Sequence, residues 1–159
     1  MKELFDNLPR LTLDDSVDYL IDTCFFIWIF EHHKEKDFLN FLKENKCAVT
    51  SFNVEELVHV EHKLHDNIKV STRKFFHKVK NLFVLEVPIH PGDPIGEHNF
   101  VKLISQELNM VEHDPSDAVM LAAAIKTGAD VLTRDKHDVF NARLENFLQK
   151  YNIKVLNKF

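Results

Sequence analysis

His113-Asp114-Pro115-Ser116-Asp117-Ala118-Val119-Met120-Leu121-Ala122-Ala123-Ala124-Ile125 gives the first firm reading of the chain. Asp114 suits a helix N-cap and Pro115 the first helical position. Asp117 falls in the first turn, where the helix dipole favours an anion. From Ala118 to Ile125 every face is apolar, the mark of a buried helix. Gly128 fits a C-cap, Ala129 to Thr133 reads as a strand, and the chain leaves it through Thr133-Arg134-Asp135-Lys136-His137-Asp138. Carboxylates therefore stand at the front of a buried helix and just past a buried strand. An unpartnered charge is costly in such places.

Outward from this stretch the same alternation repeats. Tyr19-Leu20-Ile21-Asp22 is a short strand ending in a carboxylate, followed by a buried helix through Phe25, Phe26, Trp28 and Phe30. Asp37 to Lys46 is an amphipathic helix and Cys47 to Thr50 a strand, after which Ser51-Phe52-Asn53 opens a helix carrying Glu56 in its first turns. Helices are expected over Ile68 to Lys80, Phe100 to Leu108 and Val139 to Gln149, and strands at Leu82 to Val87 and Ile153 to Leu156. Five strands alternating with helices predict an α/β fold with a parallel sheet covered on both faces. Residues 1–18, with Asp6, Asp14, Asp15 and Asp18 among scattered leucines, read as an acidic leader on the surface or mobile, ahead of one domain over 19–159.

Composition narrows the function classes. Of 159 residues 45% are hydrophobic, enough for one real core. The two cysteines, Cys24 and Cys47, cannot build a disulfide framework and fit a reduced, cytoplasmic protein. The N-terminus lacks a signal-peptide core, and the longest apolar run, Cys24 to Phe30, is too short to span a bilayer, so no membrane partner is expected. A net charge of -5 rules out a global basic field for nucleic acid, leaving a local patch or a metal to do that work.

Ligands of open parallel α/β sheets bind outside the carboxyl ends of the strands. Asp22, Glu56 and Asp135 map to that edge, and Asp117 can reach it from its helix front. Crowded carboxylates cannot all stay ionised without a counter-charge. Their all-oxygen character suits Mg²⁺ or Mn²⁺ rather than Zn²⁺, and such a site can activate water against a phosphodiester. Each acid also has a local explanation taken singly: Asp114 and Asp117 as helix-start residues, Asn53 with Glu56 as a capping box, Asp135 or Asp138 as a cap of the next helix. Asp22 resists this best, because it ends an apolar strand and enters an apolar helix.

Four segments in one order carry a family likeness: Ile21-Asp22-Thr23, Ser51-Phe52-Asn53-Val54-Glu55-Glu56-Leu57, Asp117-Ala118-Val119-Met120-Leu121-Ala122-Ala123-Ala124, and Leu132-Thr133-Arg134-Asp135. From about Tyr19 to the C-terminus the chain resembles PIN-domain nucleases, most of all the VapC-type ribonucleases of toxin–antitoxin pairs. The resemblance implies a three-layer α/β/α fold, a Mg²⁺ or Mn²⁺ cofactor, RNA as substrate, often a homodimer and, for a toxin, an antitoxin protein as partner. It makes Asp22, Glu56, Asp117 and Asp135 the catalytic, metal-binding acids, with Asp138 a further acid present in some members. It gives Thr133 and Thr23 the role of orienting hydroxyls. Adjacent Glu55 leaves the second acid ambiguous by one residue.

Other features have plainer alternatives. Lys69, Arg73, His77 and Lys80 form one stripe on a helix, and with Arg134 and Lys136 could contact RNA phosphates, or be a solvated face. His59, His62 and His65 could pair on a helix for zinc, but without an accompanying His-Glu-x-x-His pattern or cysteine. The aromatic run at Phe25 to Phe30 reads as core rather than a base-stacking platform. Rival functions are a housekeeping RNA-processing nuclease, a non-catalytic PIN module that binds RNA or protein, and a phosphatase using Asp22 as nucleophile. The last is weakened by Cys24, which stands where haloacid-dehalogenase-like phosphatases carry a second acid.

Overall fold

A computed structural model describes residues 1–112, 114–134 and 141–159. Among them, six strands form one sheet: β1 (Arg10–Leu11), β2 (Tyr19–Ile21), β3 (Cys47–Thr50), β4 (Leu82–Leu85), β5 (Asp130–Leu132) and β6 (Val155–Leu156). Their order is β1-β4-β3-β2-β5-β6, with every pairing parallel. At the centre, β2 lies between β3 and β5, in a register that sets Leu20 beside Ala48 on one side and Val131 on the other.

Because successive strand residues face opposite ways, the sheet feeds two cores. Leu20, Ala48, Leu85 and Val131 point to one, where they meet α6 (Pro94–Ile104), α8 (Pro115–Thr127) and α9 (Ala142–Gln149). Ile21, Val49, Val84 and Leu132 point to the other, against α2 (Thr23–Glu31), α3 (Glu35–Glu44), α4 (Ser51–Val60) and α5 (Asp66–Lys78). The short helix α7 (Leu108–Val111) joins α6 to α8. This is the three-layer α/β/α arrangement, with an edge strand more than the expected five.

The sixth strand comes from the segment read as a leader. Helix α1 (Lys2–Asp6) buries Phe5 against Phe26 and Phe76, and β1 pairs with β4 through Arg10 and Leu11. The segment is thus packed rather than simply laid over the surface. Its apolar residues are too few and too spread to form a periodic pattern, and only tertiary partners reveal them.

Local signals explain the elements that carry the site. Asp114 accepts from the backbone N–H groups of Ser116 and Asp117, and Gly128 closes α8 with φ of 72°, a conformation glycine adopts without strain. In α8, Ala118 through Ala124 are all buried, as an all-round apolar helix requires. The cap of α4 is Thr50, whose hydroxyl accepts from Asn53 N–H, so the capping pair is Thr50–Asn53 and not Asn53–Glu56. Asn141 caps α9. Among the described residues no helix is long and apolar enough to cross a membrane.

Candidate metal and nuclease site

The site grows out of the carboxyl ends of β2, β3 and β5. Asp22 N–H donates to Leu132 O at 2.9 Å, which carries the β2–β5 ladder one residue past the strand and sets Asp22 beside Thr133. Asp22 is also the N-cap of α2, yet its side chain makes no cap hydrogen bond. Instead, Oδ2 accepts from Thr133 Oγ1 at 2.7 Å and from Cys24 Sγ at 2.9 Å. Asp22 is 8% exposed and Thr133 fully buried. A buried carboxylate is tolerable when charge-assisted bonds of this kind hold it.

Cys24 is more than filler here. Its sulfur lies 3.3 Å from Thr133 Oγ1 and accepts Arg134 N–H at 3.2 Å, so the thiol bridges α2 to the end of β5. Burial, and then the charge and hydrogen bond of Asp22, push this thiol up to about 12. It stays protonated and remains a donor to the carboxylate. Sequence reasoning counts Cys24 only as a reduced thiol and misses this contact; its position two residues after Asp22, in the first turn of α2, is the signal that marks it.

Glu56 approaches from α4. Asn53, 3% exposed, donates from Nδ2 to Glu56 Oε2 at 3.1 Å and to Thr23 Oγ1 at 3.5 Å, while its Oδ1 accepts the Thr50 hydroxyl at 2.6 Å. Thr23 Oγ1 in turn donates to Asn53 O at 3.3 Å, so this hydroxyl supports α4 rather than Asp22. Burial raises the Glu56 pKa, and the charges of Asp22 and Asp114 push in the same direction; hydrogen bonds from Ser116 and Asn53 oppose them. Glu56 therefore feels both β2 and the front of α8. Glu55 instead meets His90 at 2.6 Å on the exposed surface.

Asp117 is half-buried and follows Ser116 in the first turn of α8, the turn that reaches Glu56. Asp135, Lys136 and Asp138 lie outside the described residues. Among the described residues no three His, Cys, Asp or Glu side chains are grouped to hold a metal ion. The donor chemistry nonetheless fits a hard cation: Asp22 and Glu56 supply carboxylate oxygens, and a cation would offset both the burial of Glu56, which chiefly raises its pKa, and the smaller push from the charges of Asp22 and Asp114.

The remaining candidates divide. Arg134 stacks over Trp28 at 4.5 Å from the ring centroid and donates to Asn157 O at 2.8 Å, which ties its guanidinium down beside the site. Lys69 pairs with Asp66 at 3.7 Å, Arg73 is exposed, and Lys80 falls beyond the end of α5. His59, His62 and His65 are all exposed. Phe25, Phe26 and Phe30 belong to the core.

Asp22 and Glu56 thus stand at the carboxyl edge of a parallel three-layer sheet, the place where open α/β sheets bind their ligands. The sequence profile of the PIN domain matches residues 19–143, and the chain belongs to the PIN domain family. PIN domains are generally nucleases. No curated protein matches the chain in sequence. Among solved structures it is similar to VapBC2 from Rickettsia felis bound to a DNA fragment from the promoter, with a TM-score of 0.57, 15% identity and coverage of 89% of this chain and 98% of that one. It is also similar to PAE2754 from Pyrobaculum aerophilum, with a TM-score of 0.51, 19% identity and coverage of 86% and 90%. At these identities the likeness concerns the fold.

Proposed function

We propose that the chain is a metal-dependent endoribonuclease whose Asp22, Glu56, Asp117 and Asp135 hold one or two Mg²⁺ or Mn²⁺ ions, with Asp138 as a further acid. The observation that carries this is the opposed pair Asp22 and Glu56: two acids on separate elements, each held by donors, close enough that one raises the pKa of the other. When bound, the ion supplies Lewis-acid activation of water and charge neutralisation at the phosphodiester. The chain's own residues do the positioning. Thr133 and Cys24 fix Oδ2 of Asp22, while Asn53 and Ser116 aim the Glu56 carboxylate. Acids held in this way, as Asp22 and Glu56 are, need little reorganisation as substrate arrives.

RNA is the proposed substrate, and the cell's cytoplasm the proposed location, in keeping with the two free cysteines. We further propose the role of toxin in a toxin–antitoxin pair, with an antitoxin protein as partner and a homodimer as the assembly. The VapBC2 assembly from Rickettsia felis, which shares the fold, supports the antitoxin partner in that reading. The test is cleavage of an internally labelled RNA by wild type and by Asp22→Asn, in EDTA and in Mn²⁺. Cutting by wild type only, and only with metal, supports the enzyme. RNA binding without cutting points to a non-catalytic module instead. Growth arrest on expression, relieved by a co-expressed neighbouring small protein, separates a toxin from a housekeeping nuclease.

A further inference from the structure

Away from the acids, a lysine-lined groove runs between α3 and α5. One part is a cleft of about 400 Å³ lined by Lys36, Lys43, Lys78 and Lys80; the adjoining part, about 350 Å³, adds Lys74 and one acid, Glu35, and shares Lys36, Lys78 and Leu39 with the first. All five lysines are exposed. Among the described residues none of the five makes an ion pair, whereas Arg10, Lys69 and Lys150 do. A quarter of the chain's 20 Lys and Arg residues thus line one groove of a protein with net charge -5. Five lysines against the one acid of the lining, Glu35, leave a surplus of like charge that repels itself and favours a polyanion.

The groove is not part of the carboxylate site. Lys80 and Asn81 lead into the amino end of β4, and Asn81 Nδ2 donates to Lys43 O at 3.4 Å, near where the chain turns toward the amino end of β3. Asp22 and Thr133 lie at the other end of the strands, about 10 Å or more away at roughly 3.3 Å per strand residue. The groove also lacks the Trp, Tyr and Arg anchors on which protein interfaces depend. Flexible lysine point charges are instead suited to a phosphate backbone, which they contact without reading sequence.

We propose that the α3–α5 groove is a second RNA-backbone contact, one that holds the strand at the sheet edge opposite the acids and compensates for the acidic balance of the whole chain. The idea rests on the RNA reading above, and its test is read without cleavage. Binding of a fluorescent oligouridylate of about 20 nucleotides is measured against salt in EDTA, with the full chain carrying Asp22→Asn so that the RNA stays intact. The pairs Lys36→Gln with Lys78→Gln, and Lys43→Gln with Lys80→Gln, are compared with a control pair on other helices, Lys102→Gln with Lys126→Gln.

Each groove pair should weaken binding several-fold and lower the slope of log affinity against log salt by about 1.4, since each lost contact to single-stranded RNA removes about 0.7. The control pair should leave the slope unchanged. An unchanged slope in the groove variants, or an equal fall in the control, overturns the proposal. So does displacement of the RNA by polyglutamate no less readily than by unlabelled oligouridylate, because that would make the groove a site for acidic protein. If the groove variants lose slope but the wild type cuts no RNA, the nuclease reading fails and the groove stands.

Discussion

The Thr133 hydroxyl donates to Asp22 Oδ2 over 2.7 Å, linking positions 111 residues apart at the ends of two adjacent parallel strands. Both partners are buried, so the bond is hard to replace with water. Thr133→Val keeps the shape and removes the donor. It should cost about 1 to 3 kcal/mol and lower the melting midpoint by roughly 2 to 12 °C. A thermal melt in EDTA checks this, and a melt with Mn²⁺ should show a smaller metal-induced gain than wild type.

Glu56 makes stability depend on pH with a defined sign. Its folded-state pKa lies above the ordinary value of 4.5, chiefly because it is buried, so within that window the folded chain holds more protons than the unfolded one. This group's contribution to stability therefore falls as pH rises from about 4.5 upward. Without metal, Glu56→Gln should melt higher than wild type at neutral pH and lose that advantage in acid. Bound Mn²⁺ should reverse the order at neutral pH, because a cation favours the ionised acid.

Cys24 and Cys47 are both pushed up to about 12, in each case mainly by burial. Unfolded thiols ionise near 9 and the folded ones do not, so stability should fall as pH rises from about 9 toward 12. At pH 8 neither should react with iodoacetamide on the timescale of a free thiol, and both should react in denaturant. Fast labelling of Cys24 in the folded chain would contradict the donor role assigned to it.

Phe5 tests whether the first residues belong to the core. It is 1% exposed and packs edge-on against Phe26 and Phe76. Phe5→Ala should cost about 3 to 5 kcal/mol, a loss easily read by urea denaturation. A change below 1 kcal/mol would return residues 1–18 to the status of a surface leader.

What could be read in advance followed from how local each signal was. Asp114, Pro115 and Gly128 mark the limits of α8 through backbone chemistry within a few residues, and the apolar run between them needs no partner to be recognised. The strands of the sheet centre are readable as short apolar runs, β2 running directly into an acid, Asp22. β1 is not, because two residues paired to β4 carry no pattern of their own. In the site, Asp22 stood out as a charge between two apolar segments. Cys24, Asn53 and Ser116 did not, since their roles arise only when β5, α4 and α8 converge on the same edge. The choice of Glu56 over Glu55 likewise depends on which side of α4 faces the sheet.

The most direct measurement is a Mn²⁺ titration followed by thermal melting, on wild type and on Asp22→Asn. A ligand at 100 times its dissociation constant stabilises by about 2.7 kcal/mol, which for this length is a rise of roughly 5 to 10 °C. The account predicts that rise in wild type and none in Asp22→Asn, which in EDTA melts at or above the wild-type midpoint because one buried charge is gone. Equal rises in both proteins, or none in either, would contradict the claim that these acids form a metal site.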